Sequence, residues 1–161
     1  MEKVTNGLLM HLEALLKPLA GLGNVHTNIA TGRNLTRIQA ALKEPRDLIK
    51  SDADMAAFVK NQDYAVMSSG FDPDKYDESS KAEKGTPEIE YYERYKPYVD
   101  FLDSLEEGQL ERGAEKINAM LTDEVNGFEP YHYNEEKMSN DFGSPDLNAK
   151  MAAVFLIIEG E

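Results

Sequence analysis

The hydrophobic positions of this chain recur at three- and four-residue steps far more often than at two, and that spacing predicts helices. Leu8, Leu9, Leu12, Leu15, Leu16 and Leu19 form one leucine face, opened by a capping Thr5 or Asn6 and stopped by Gly21 and Gly23. Val25, Ile29, Leu35, Ile38, Leu42 and Ile49 predict a second helix from near Asn24, which Pro45 kinks or ends. Ser51, Asp52 and Asp54 read as a new helix start, followed by Met55, Phe58, Val59, Ala65 and Val66. Thr86-Pro87-Glu88 starts another helix, carrying Ile89, Tyr92, Tyr95, Val99 and Leu102, with Pro97 expected to kink or divide it. An amphipathic stretch continues through Leu105, Leu110, Ile117, Met120 and Leu121, weakened at Gly108 and Gly113. Ser144-Pro145-Asp146 opens a last helix that places Leu147, Met151, Phe155 and Ile158 along one stripe. Val154, Leu156 and Ile157 leave that helix little polar face, so it must be covered by its own chain or by a partner.

Two segments interrupt this pattern. Residues 68–86 hold Gly, Pro, four Ser and many charges, and are expected to be a flexible linker that cannot repay the cost of ordering. Asn126-Gly127 is a turn signal, and the aromatic run Phe128 to Tyr133 is the one candidate strand, limited by Pro130. The expected fold is therefore mainly α. It is an antiparallel helical bundle with at most one short β-strand or hairpin near residues 126–133. It forms a single helical domain over 1–161, with the charged linker as an excursion.

Charge adds a division along the chain. Residues 1–50 carry seven Lys/Arg against four Asp/Glu, a net +3, while the whole chain is −13 and residues 51–161 therefore carry −16. Such an acidic balance argues against nucleic-acid binding through phosphate neutralisation and against anionic membrane surfaces. No apolar run approaches the roughly 18 residues that span a bilayer, and the leucine-rich start, broken by His11, Glu13 and Lys17, is amphipathic and does not read as a signal segment. The absence of cysteine excludes disulfides and thiolate metal sites.

Candidate chemistry is sparse. His11, His26 and His132 lack the H-x3-H and H-E-x-x-H spacings of metal sites. Asp72, Asp74 and Asp77 lack the glycine and terminal glutamate of a calcium loop. Gly21-x-Gly23 lies between helices, without the strand that a dinucleotide fingerprint needs. The pairs Glu106/Glu107 and Glu135/Glu136 arise readily among thirty acids. No catalytic, metal or cofactor-binding residue is assigned, and no cofactor is expected. The candidates are instead for protein contact: Tyr91 and Tyr98, from the run that also holds Tyr92 and Tyr95, and Leu147, Met151, Phe155 and Ile158 on the last helix.

Val4-Thr5-Asn6, Arg33-Asn34-Leu35, Met120 through Val125 and Ala149 through Glu159 follow one another in an order that resembles that of small tailed-phage proteins without assigned activity. These open on a Leu/Val-Thr-Asn start and a leucine-rich helix. A basic helix with an internal Asn-Leu follows, and later a Leu-Leu-x-Glu-x-Val segment and a helix ending in apolar-Ile-Glu-Glu. The matching residues here are Val4-Thr5-Asn6, Arg33-Asn34-Leu35, Met120 through Val125, and Ala149-Lys150-Met151 through Ile157-Ile158-Glu159. The resemblance covers most of the chain outside 68–86 and implies a context, not a reaction. Taken with the missing catalytic motif, the acidic charge and the apolar last helix, it leads to the expectation of a non-catalytic accessory protein in the cytoplasm of the infected bacterium, acting on a protein partner or on itself. Such a protein can be directed at the host, including as an imitator of nucleic-acid charge. The alternative is a structural or assembly component of the virion head or tail.

Overall fold

A computed structural model describes residues 3–160. Among them the architecture is a mainly α-helical bundle, as the hydrophobic spacing predicts, and the only β pairing is an isolated antiparallel bridge between Thr5 and Glu124. The chain clusters into two compact units, Met1–Leu48 with Asn118–Glu161 and Ile49–Ile117.

The first unit is built on α1 (Asn6–Leu16), which packs against α2 (Val25–Ala41) and α9 (Pro145–Glu159). Thr5 caps α1 by accepting from the Leu8 N–H at 3.1 Å, and a short 3-10 turn over Lys17–Leu19 absorbs Pro18. Leu9, Leu12, Leu16 and Leu19 are fully buried, and they meet Ala30, Ile38 and Leu42 on one side and Met151, Val154 and Ile158 on the other. Asn6 ties the start of α1 to the far part of the chain. Its side chain donates to the Met120 carbonyl at 2.9 Å, and its own N–H donates to the Asp123 carbonyl at 3.1 Å.

The inner face of α2 differs from the expected apolar stripe. Thr27, Ala30, Thr31, Asn34 and Ile38 point inward, whereas Val25 is 70% and Ile29 45% exposed. The reason is that the inner polar groups have partners. Residues 128–134 run without helix or strand beside α2, a turn at 135–137 follows, and the segment is held by side chains of α2 and its cap, not by a second strand. Asn24 donates to the Lys137 carbonyl at 2.8 Å, Thr27 accepts from the Ser139 N–H at 2.6 Å, and Thr31 shares a 3.1 Å hydrogen bond with the Tyr133 hydroxyl. Asn34 grips Tyr131, and Arg37 donates to the Glu129 carbonyl at 2.8 Å. These five residues recur every three or four positions, so they form one helical stripe. The bonds of Thr27, Thr31 and Asn34 satisfy buried side chains, each of which would cost about 1–3 kcal/mol if left unpaired, whereas those of Asn24 and Arg37 are exposed.

The second unit contains α4 (Ala53–Asp63), α5 (Ala65–Ser68), α6 (Pro73–Ser79), α7 (Pro87–Asp103) and most of α8 (Gln109–Thr122); α3 (Lys43–Ser51) precedes it and holds Pro45 in its first turn. Asp52 and Thr86 cap α4 and α7 as their sequences predict. Pro97 lies inside α7 without dividing it. Gly108, with φ of 71°, makes the turn before α8. Gly113 has a packing role as well: a Cβ there would lie 2.2 Å from the Asp54 carbonyl oxygen, so α8 and α4 approach closely at this point.

The stretch 68–86 is not featureless. Asp72 caps α6 through the Asp74 and Lys75 N–H groups, with Pro73 at the first helical position. Tyr76 is buried, stacks on Tyr92 at 4.8 Å between centroids and meets Phe71 edge-on at 5.7 Å. One aromatic anchor thus supplies the ordering energy that composition alone does not reveal. Burial, and then the hydrogen bond with Tyr92, push the Tyr76 hydroxyl up to about 12.

Candidate protein-binding groove on the C-terminal helix

Ser144 caps α9 by accepting from the Leu147 N–H at 3.2 Å, with Pro145 at the first helical position. One turn in, Asn148 reaches back and accepts from the Phe142 N–H at 2.7 Å, while Asp141 accepts from the Gly143 N–H at 2.9 Å. Gly143 takes φ of 85°, which an L side chain rarely adopts. This loop geometry turns Phe142 inward, where it is buried. Upstream, the Lys137 and Met138 N–H groups both donate to the Asn134 carbonyl, closing a turn that presents Met138.

Between this turn and α9 lies a cavity of about 630 Å³. Its apolar lining includes Met138, Phe142, Met151, Phe155 and Leu156, and Leu156 is 56% exposed. Glu135 and Glu136 stand at its edge, and among the described residues neither makes an ion pair. The opposite end of α9 is fixed by Glu159, which accepts from the Tyr133 N–H at 2.8 Å and contacts His132 Nδ1 at 2.9 Å. Burial raises the Tyr133 hydroxyl above its ordinary range, which suits a neutral group sharing a hydrogen bond with Thr31. Methionine and aromatic side chains around a cavity make an adaptable apolar surface, and uncompensated carboxylates at its edge favour a cationic neighbour.

The sequence candidates fall in three places. Met151 and Phe155 line the groove, the first buried and the second half-buried. Leu147 packs half-buried against the core, and Ile158 is buried within it. Tyr91 and Tyr98 belong to the aromatic cluster of the second unit. Tyr91 accepts from the Asp72 N–H at 2.8 Å and carries the Lys75 ammonium 4.4 Å above its ring, while Tyr98 packs against Tyr64 and Phe71. Met138 and Phe142 were not anticipated, because they sit singly in a polar stretch without periodicity. The aspartates at 72 and 74 serve helix α6, and His11 and His26 are exposed. Among the described residues no three His, Cys, Asp or Glu side chains gather as a metal site, and no helix is long and apolar enough to cross a membrane. No family model matches the chain, and neither a curated protein nor a solved structure was found similar to it.

Proposed function

We propose that this chain is a non-catalytic phage accessory protein that works by protein–protein contact in the cytoplasm of the infected bacterium. The observation that carries the contact reading is the groove of α9, where Phe155 and Leu156 offer apolar surface beside Glu135 and Glu136, which make no ion pair among the described residues. An apolar centre with a charged edge is the anatomy of a protein interface. The phage setting rests on the sequence pattern of Val4-Thr5-Asn6 and Met120 through Val125. The net charge of −13 selects partners with basic surfaces, including host proteins whose ordinary partner is a nucleic acid.

A photo-crosslinking residue in place of Leu156, expressed during infection, tests this reading. The expected result is a discrete adduct whose partner, once purified, binds the wild-type chain and binds Phe155→Asp at least tenfold more weakly. Absence of any adduct, or equal binding by the variant, overturns it. A second reading, a component of the virion, is favoured by the separate exposed apolar surface at Val25 and Ile29, since assembly subunits need more than one contact. Stoichiometric copies in purified particles distinguish it.

A further inference from the structure

The outer face of α2 carries an unexplained combination. Val25 and Ile29 are exposed, and Gly32 continues their line with nothing within 4 Å of where its Cβ would be. A glycine in mid-helix is unfavourable relative to alanine, and this one relieves no clash within the chain. Together with Asn28, Arg33, Thr36 and Arg37, Ile29 and Gly32 line a shallow depression of about 590 Å³. The arginines are held in place: Arg33 stacks over the Tyr131 ring at 4.6 Å, and Arg37 lies 5.7 Å from the same ring while it donates to Glu129. Neither makes an ion pair among the described residues. A guanidinium stacked by its face keeps its edge donors available.

The same compact unit therefore displays two unpartnered apolar surfaces of opposite charge. One is a basic helix face with a smooth centre at Gly32, and the other is the groove of α9 edged by Glu135 and Glu136. We infer that the occupant of the α9 groove is the outer face of α2 from a second copy of this chain. This inference rests on the reading of the groove as a protein contact. Ile29 and Val25 enter the apolar lining, Gly32 lets the two backbones approach, and Arg33 and Arg37 meet Glu135 and Glu136. Because the two surfaces differ, the contact is head-to-tail: two copies related by a twofold axis exchange both contacts in a closed dimer, and other geometries build a ring or filament.

Sedimentation of the full chain across a concentration series tests this. The expected result is a mass that rises with concentration in the sub-millimolar range and falls again at high salt. The double variant Arg33→Glu/Arg37→Glu and the double variant Glu135→Lys/Glu136→Lys should each associate at least tenfold more weakly. An equal mixture of the two should associate again, because each reversed surface then finds a complementary one. Gly32→Leu, which has open space in the single chain, should weaken association tenfold while the helix content stays unchanged. This variant keeps the test valid if the arginine reversals disturb the packing on Tyr131. A wild-type chain that stays monomeric, variants that associate as well as wild type, or a mixture that fails to recover each overturns the inference. If the chain is monomeric while a foreign partner is still crosslinked through position 156, self-association falls and the contact function stands.

Discussion

Asn34 holds Tyr131 by both ends of its main chain: its amide donates to the Tyr131 carbonyl at 2.8 Å, and its carbonyl accepts the Tyr131 N–H at 2.7 Å. The asparagine is fully buried on α2, so this pair substitutes for a strand neighbour. Asn34→Ala leaves the partly buried Tyr131 N–H and carbonyl without their Asn34 partner and should cost about 1–3 kcal/mol, read as a lowered midpoint in urea. Asn34→Asp keeps the acceptor but loses the donor and buries a charge, so it should be at least as damaging at neutral pH.

Two glycines in helices should respond with opposite signs. Gly32→Ala meets open space and should stabilise the chain by about 0.5–1 kcal/mol. Gly113→Ala drives a methyl into the Asp54 carbonyl and the Phe58 side chain, and overpacking of that kind costs about 1–3 kcal/mol or more. Thermal melts of the two variants side by side decide the matter.

Glu13 is a buried carboxylate on the leucine helix, paired with Arg46 and with Lys17 at 3.2 Å. Burial pushes its pKa up, but the hydrogen bonds from Arg46 and Lys17 outweigh that and hold it below the ordinary 4.5. A carboxylate whose folded value is depressed contributes stability that is complete above its unfolded value and is lost as pH falls through the folded one. Stability should therefore drop on acidification below about pH 4.5. Glu13→Gln should flatten that drop while costing about 1–3 kcal/mol at neutral pH, as measured by denaturant titration at several pH values.

Neighbouring positions on α9 should separate stability from contact. Val154 is fully buried, so Val154→Ala should cost about 1–3 kcal/mol. Phe155 is half-buried against the groove, and Phe155→Ala should cost less than the ~3–5 kcal/mol of a fully buried ring. Leu156→Asp should leave the melting temperature nearly unchanged and remove association. An unfolded Leu156→Asp would place this side chain in the core instead of at the groove edge.

Helix starts were legible because capping is local chemistry: Thr5, Asn24, Asp52, Thr86 and Ser144 each accept from an N–H three residues on. The leucine face of α1 was legible because all its partners are apolar. The inner face of α2 was not. Periodicity assumes that buried means apolar, and Thr27, Thr31 and Asn34 break that rule with partners about 100 residues away. The same limit hid α6, whose order depends on Tyr76 stacking on Tyr92 across a polar stretch. The groove was half legible. Met151 and Phe155 follow from the α9 stripe, but Met138 and Phe142 reach it only through a loop shaped by Asn148 and Asn134.

The run beside α2 has a further consequence for how its amides exchange with solvent. The N–H groups of Tyr131 and Tyr133 are bound by Asn34 and Glu159, whereas that of His132, between them, has no partner among the described residues. Deuterium should enter at 132 quickly and at 131 and 133 slowly. That alternation is the signature ordinarily left by an edge strand, and here a helix and a single carboxylate write it without any sheet.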